Sequence, residues 1–91
     1  MSTLKTQKIH ILLAEDDPDD SMLFLQAIDQ AEIASEVSVV ENGALLLTNL
    51  ENNTKLPDII FLDMNMPLVN GLECLNSIRS TNTYQQVPVI I

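Results

Sequence analysis

The chain has 91 residues, enough for one domain; 46% of them are apolar and only 3% aromatic, so its core must be aliphatic. Four Lys and Arg stand against 13 Asp and Glu, a formal charge of −9. That balance argues against nucleic-acid binding, which needs clustered cations, and against docking on anionic membranes. No apolar run reaches the roughly 18 residues of a membrane span, and residues 1–8 are too polar for a signal peptide. The single Cys74 cannot form an internal disulfide, which fits a reducing cytoplasm.

Strand-like and helix-like runs alternate. Residues 9–14 (IHILLA) form a short, largely apolar stretch that reads as a strand buried on both faces. In the acidic run 15–20 (EDDPDD), Asp17 before Pro18 predicts an N-cap and a first helical residue. Asp19 and Asp20 then suit the positive end of the helix. Apolar residues at 22, 25 and 28 and at 24, 27 and 31 predict a helix to about residue 31. Residues 37–40 read as a strand, 43–50 as a helix opened by Asn42 and Gly43, and 52–54 as a turn. The stretch 58–63 (DIIFLD) is the clearest buried strand; a loop with Pro67 fills 64–70. Residues 71–80 predict a helix with Leu72, Leu75 and Ile78 on one side, and 88–91 a fourth strand. Strands alternating with helices imply right-handed crossovers and a parallel α/β sheet.

The chemistry lies in the carboxylates. Glu15 and Asp16 follow the first strand directly, and Asp63 follows the third. In a doubly wound sheet, ligands bind outside the carboxyl ends of the strands. If the first and third strands are neighbours, the three acids converge, and carboxylates that close repel unless a cation neutralises them. A hard divalent ion such as Mg²⁺ is the natural partner. Taken alone, an acidic helix start is a capped, solvated terminus. An EF-hand is excluded, since counting from Asp17 the glycine position holds Met22 and the final glutamate position Ile28. A phosphatase with a second acid two residues past its nucleophile is excluded by Asn65. His10 reads as a strand-face residue, Cys74 as a small packing residue, and Met64 and Met66 as packing or loop residues.

The runs ILLAEDD (11–17), PDIIFLDMNMP (57–67), NGLECL (70–75) and VPVII (87–91) make the chain resemble a receiver domain of two-component response regulators. The resemblance covers about residues 8–91 and is similar, more weakly, to the small single-domain regulators found with phytochrome-type kinases. It implies a flavodoxin-like sheet in the order 2-1-3-4, with strand five and the last two helices absent. Helix one would lie alone on one face and helices two and three on the other. It further implies that Asp63 is the phosphoacceptor and Asp16 a direct Mg²⁺ ligand. Glu15 would reach the ion through water, Asn65 would offer it a backbone carbonyl, and Asp17 would be a nearby supporting charge. The partner would be a histidine kinase or phosphotransfer protein, and the domain would be no enzyme beyond its own phosphorylation and dephosphorylation. The family's switch Ser/Thr and phosphate-gripping Lys would fall beyond Ile91, and Lys5, Lys8 and Lys55 do not fit the latter's place. The alternative is a receiver-like adaptor that is not productively phosphorylated. Because the sequence stops within an apolar run, it predicts either a fragment or a chain that self-associates through the fourth strand and a bare sheet face.

Overall fold

The structure is a computed structural model that describes residues 8–53, 55–64, 66 and 70–91. Its elements in chain order are β1 (Ile9–Ala14), α1 (Pro18–Gln30), β2 (Ser35–Val40), α2 (Gly43–Asn52), β3 (Ile59–Leu62), α3 (Gly71–Ser80), a 3₁₀ turn (Asn82–Tyr84) and β4 (Val89–Ile90). The four strands form one parallel sheet in the order β2-β1-β3-β4, as the sequence predicts. Among the described residues no helix is long and apolar enough to cross a membrane.

β1 is central. Ile11 faces Val37 of β2 on one side and Ile59 of β3 on the other. Side chains alternate across the sheet, so Leu12, Ala14, Ile60 and Leu62 point to one face. There they join Leu46 and Leu50 of α2 and Cys74 and Ile78 of α3 in the main core. The opposite face carries Phe61, whose ring stacks tilted on Phe24 of α1 at 4.8 Å between centroids. α1 is therefore on one face and α2 with α3 on the other.

Caps and turns set the helix ends. The Asp17 carboxylate accepts from the Asp19 N–H at 2.9 Å, Asn42 accepts from the Leu45 N–H at 2.8 Å, and Asn70 and Glu73 form a reciprocal capping box. α1 ends where Glu32 takes a left-handed conformation, φ 57°, a position that usually favours glycine.

Several sequence expectations need correction. β2 begins at Ser35 rather than 37, because pairing with Ile9 and His10 draws in two polar residues. α2 runs to Asn52, with its final turn held by the Asn53 N–H and side chain on the Asn49 carbonyl; Asn52 is thus helical rather than part of a turn, and Thr54 lies outside the described residues. β4 omits Pro88 and Ile91, although the Pro88 carbonyl still accepts from the Ile60 N–H. In α3 the inward side is Gly71, Cys74 and Ile78, while Leu72 is exposed. In α1, Phe24 and Ile28 are half-buried, one turn apart, while Met22, Leu25, Ala27 and Ala31 face solvent.

Candidate divalent-cation site

Two hydrogen bonds extend the sheet beyond its strands and create the site. The Glu15 N–H donates to the Val40 carbonyl at 3.0 Å, and the Asp63 N–H donates to the Ala14 carbonyl at 3.1 Å. The register pairs Ala14 with Leu62, so Glu15 and Asp63 emerge side by side at the carboxyl edge of β1 and β3. Asp16 follows in the bend before α1. One carboxylate oxygen from each of Glu15, Asp16 and Asp63 lies within 4.8 Å of the others; Glu15 and Asp63 are half-buried and Asp16 is exposed. Asp17, expected nearby, caps α1, and its N–H also donates to a Glu15 carboxylate oxygen at 3.3 Å. Asn65 and Pro67 lie outside the described residues.

The electrostatics match the crowding. Burial pushes the Glu15 carboxyl up; the hydrogen bond from the Asp17 N–H opposes this, and the carboxylates of Asp63 and Asp20 add to the rise. The donor set, three hard oxygen donors on converging backbones, fits Mg²⁺ or Mn²⁺ and offers nothing to a soft metal. Beside it a groove of about 260 Å³ runs over Leu13, Phe61, Ile90 and Ile91.

Gly71 is a site residue that motif reading notes without a reason. A Cβ there would meet the Met64 Cα at 2.5 Å, the Met64 Sδ at 2.7 Å and the Asp63 carbonyl oxygen at 2.9 Å. Its N–H donates to the Met64 carbonyl at 3.3 Å. Only glycine lets the start of α3 press against the backbone that carries Asp63. The residues set aside behave as expected. Cys74 is fully buried, its thiol on the Gly43 carbonyl at 3.5 Å and its pKa pushed up by burial, which makes it inert. Met66 belongs to the core, and His10 Nε2 stands 3.4 Å from Glu36 on the strand surface.

A parallel α/β domain with an acidic cluster at the ends of its first and third strands is the class that fold and site define. Residues 11–91 match the response regulator receiver domain, and the chain belongs to that family, whose work is phosphorelay signalling. The chain is 29% identical over 86 residues to the response regulator Rcp1 of Synechocystis sp., covering 89% of this chain and 58% of Rcp1. The Mn²⁺-bound form of response regulator Rcp1 superposes with a TM-score of 0.83, at 29% identity over 89% of this chain and 62% of that one. The bacteriophytochrome response regulator AtBRR gives 0.86 at 31% identity, covering 92% and 65%. The phosphorylated cyanobacterial phytochrome response regulator RcpA gives 0.85 at 32% identity, covering 91% and 63%. The chain thus spans less than two thirds of each of these relatives.

Proposed function

We propose that residues 1–91 act as a phosphoacceptor domain, in which Asp63 takes a phosphoryl group from the phosphohistidine of a histidine kinase or phosphotransfer protein and later loses it to water. In the first step an Asp63 carboxylate oxygen bonds to phosphorus as the histidine P–N bond breaks and the imidazole leaves with a solvent proton. In the second, water displaces the Asp63 carboxylate from phosphorus. Aspartate approaches phosphoryl oxygens against charge repulsion. Bound Mg²⁺ supplies the neutralising charge.

The observation that carries this reading is the convergence of Glu15, Asp16 and Asp63 within 4.8 Å at one sheet edge. Asp16 and Asp63 would hold the ion directly. Glu15 would reach the ion through water. The Asn65 carbonyl would complete the protein's donors, and Asp17 would support the charge while holding the start of α1. Gly71 would keep the Asp63 backbone in place. The partners are proteins, and the setting proposed is the cytoplasm.

Incubation with acetyl phosphate and Mg²⁺, read as retarded mobility on a phosphate-affinity gel, tests the assignment. Asp63→Asn abolishes the shifted band, and Asp16→Ala raises the Mg²⁺ concentration needed to produce it. A shifted band from Asp63→Asn equal to that of the parent overturns the assignment; a parent chain that never shifts under any Mg²⁺ concentration returns the domain to the adaptor reading.

A further inference from the structure

β2 ends the sheet on one side, and its register shows which backbone groups are left there. The Ile9 N–H donates to the Ala34 carbonyl and the Glu15 N–H to the Val40 carbonyl. In a parallel pair the bonding residues recur with period two, so residues 34, 36, 38 and 40 face β1. The peptide N–H and C=O groups of Ser35, Val37 and Val39 therefore point to the open edge. They span about 13 Å, at 3.3 Å per residue.

Sheet edges are normally blunted by Lys, Pro or a bulge, and β2 (SEVSVV) contains no Lys, Pro or Gly. Its flanks mix apolar with polar side chains, Ser35 on the α1 side and Thr48 and Asn49 toward α2. A groove of about 280 Å³ on the α1 side is lined by Leu25, Ile28, Ile33 and Val37, and one of about 410 Å³ toward α2 by Val39, Val40 and Leu45. Leu25, Ile33, Val39 and Leu45 are each 40–47% exposed. Each groove also carries one carboxylate, Asp29 in the first and Glu41 in the second, while Glu36 of β2 stands 3.4 Å from His10 of β1. Among the described residues no strand covers this edge, and a row of outward peptide groups, partly apolar slots on both sides and a carboxylate in each describe the occupant: an extended segment that alternates apolar with cationic side chains. A second copy is disfavoured, because it would set one charge of −9 against another.

We propose that the outer edge of β2 is a docking site for an extended Lys- or Arg-bearing segment of a partner protein, added to the sheet as a further strand. The proposal is independent of phosphoryl transfer, since β2 contributes no carboxylate to the cation site.

Amide exchange and ¹⁵N-¹H spectra of the full chain test it, with a capped peptide alternating valine and lysine as the probe. In the free chain the amides of Ser35, Val37 and Val39 exchange fast while those of residues 36, 38 and 40 are protected. The peptide slows the first set and shifts their resonances. A version with glutamate for lysine binds roughly tenfold or more weaker, as expected for several exposed ion pairs. Val37→Pro removes an outward N–H and no bond to β1, a change edge strands tolerate, and weakens binding about three- to tenfold, one hydrogen bond's worth. Should that variant misfold, Asp29→Asn combined with Glu41→Gln, both on the surface, must weaken lysine-peptide binding and flatten its salt dependence. The proposal is overturned by edge amides already protected in the monomer, or by dimerisation that protects them. It is equally overturned by equal binding of the glutamate peptide, or by shifts confined to Glu15, Asp16 and Asp63.

Discussion

The two faces of the sheet are built differently. On the α2 and α3 face, Leu12, Leu46, Leu50, Ile60, Cys74 and Ile78 are almost wholly shielded from solvent. On the α1 face Ile11 and Leu13 of β1 are buried, but no residue of the helix is; of its apolar side chains only Phe24, against Phe61, and Ile28 are half-buried. Burial stabilises by about 25 cal/mol per Å² of apolar surface, so the first face holds the domain together and the second is loosely clad. The carboxylates emerge at the edge where the faces meet. One face can be tuned for stability while the other, with β2 and α1, stays open to contacts.

The sharpest test of this contrast is a matched pair of truncations. Leu46→Ala should cost about 3–5 kcal/mol in chemical denaturation, the upper range for a wholly buried leucine. Phe24→Ala, although it removes more atoms, should cost only about 1–2 kcal/mol because its site is half open. Equal losses would mean that the α1 face is as well packed as the other. Gly71→Ala should cost about 1–3 kcal/mol, since backbone rather than a flexible side-chain end blocks the new methyl. It should also lower the rate of acetyl phosphate labelling, which a purely global loss of stability would not do below the melting range.

The smallest effect is electrostatic. Glu15 has its pKa raised in the folded chain, so its stabilising contribution is present at low pH and lost as pH rises through that raised value. In chelator near neutral pH, Glu15→Gln should be more stable than the parent by a fraction of a kcal/mol. The gap should close on acidification and reverse when Mg²⁺ is added. Thermal melts across pH, with and without the ion, read all three.

Strand order and the carboxylate trio were legible in the sequence because both follow from one pattern, apolar runs ending in acids. The inward side of α1 was not. Met22, Leu23, Phe24 and Leu25 are consecutive and apolar, so periodicity admits several stripes, and only packing on Phe61 selects Phe24 and Ile28. Leu72 misled in the same way: the α3 stripe turns to place Gly71 and Cys74 against the sheet, and small residues carry a weak hydrophobic signal. The first residues of β2, Ser35 and Glu36, have no strand signature of their own and are extended only because β1 pairs with them. The need for glycine at 71 depends on the backbone of Met64, seven residues earlier in the chain, which no local pattern reveals.

Pairing in this sheet also governs when the charge is felt. No two bonded strands are joined by a hairpin; β1 must find β2 across α1 and β3 across two helices. Such non-local pairing places the chain among the slower mixed α/β folders. Glu15 and Asp63 approach each other only when β1 and β3 pair at their carboxyl ends. A penalty absent from the transition state leaves the folding rate alone and speeds unfolding. If that end of the pairing forms after the transition state, the crowded acids shorten the lifetime of the native state without slowing its formation, and Glu15→Gln in chelator should slow unfolding while leaving refolding unchanged.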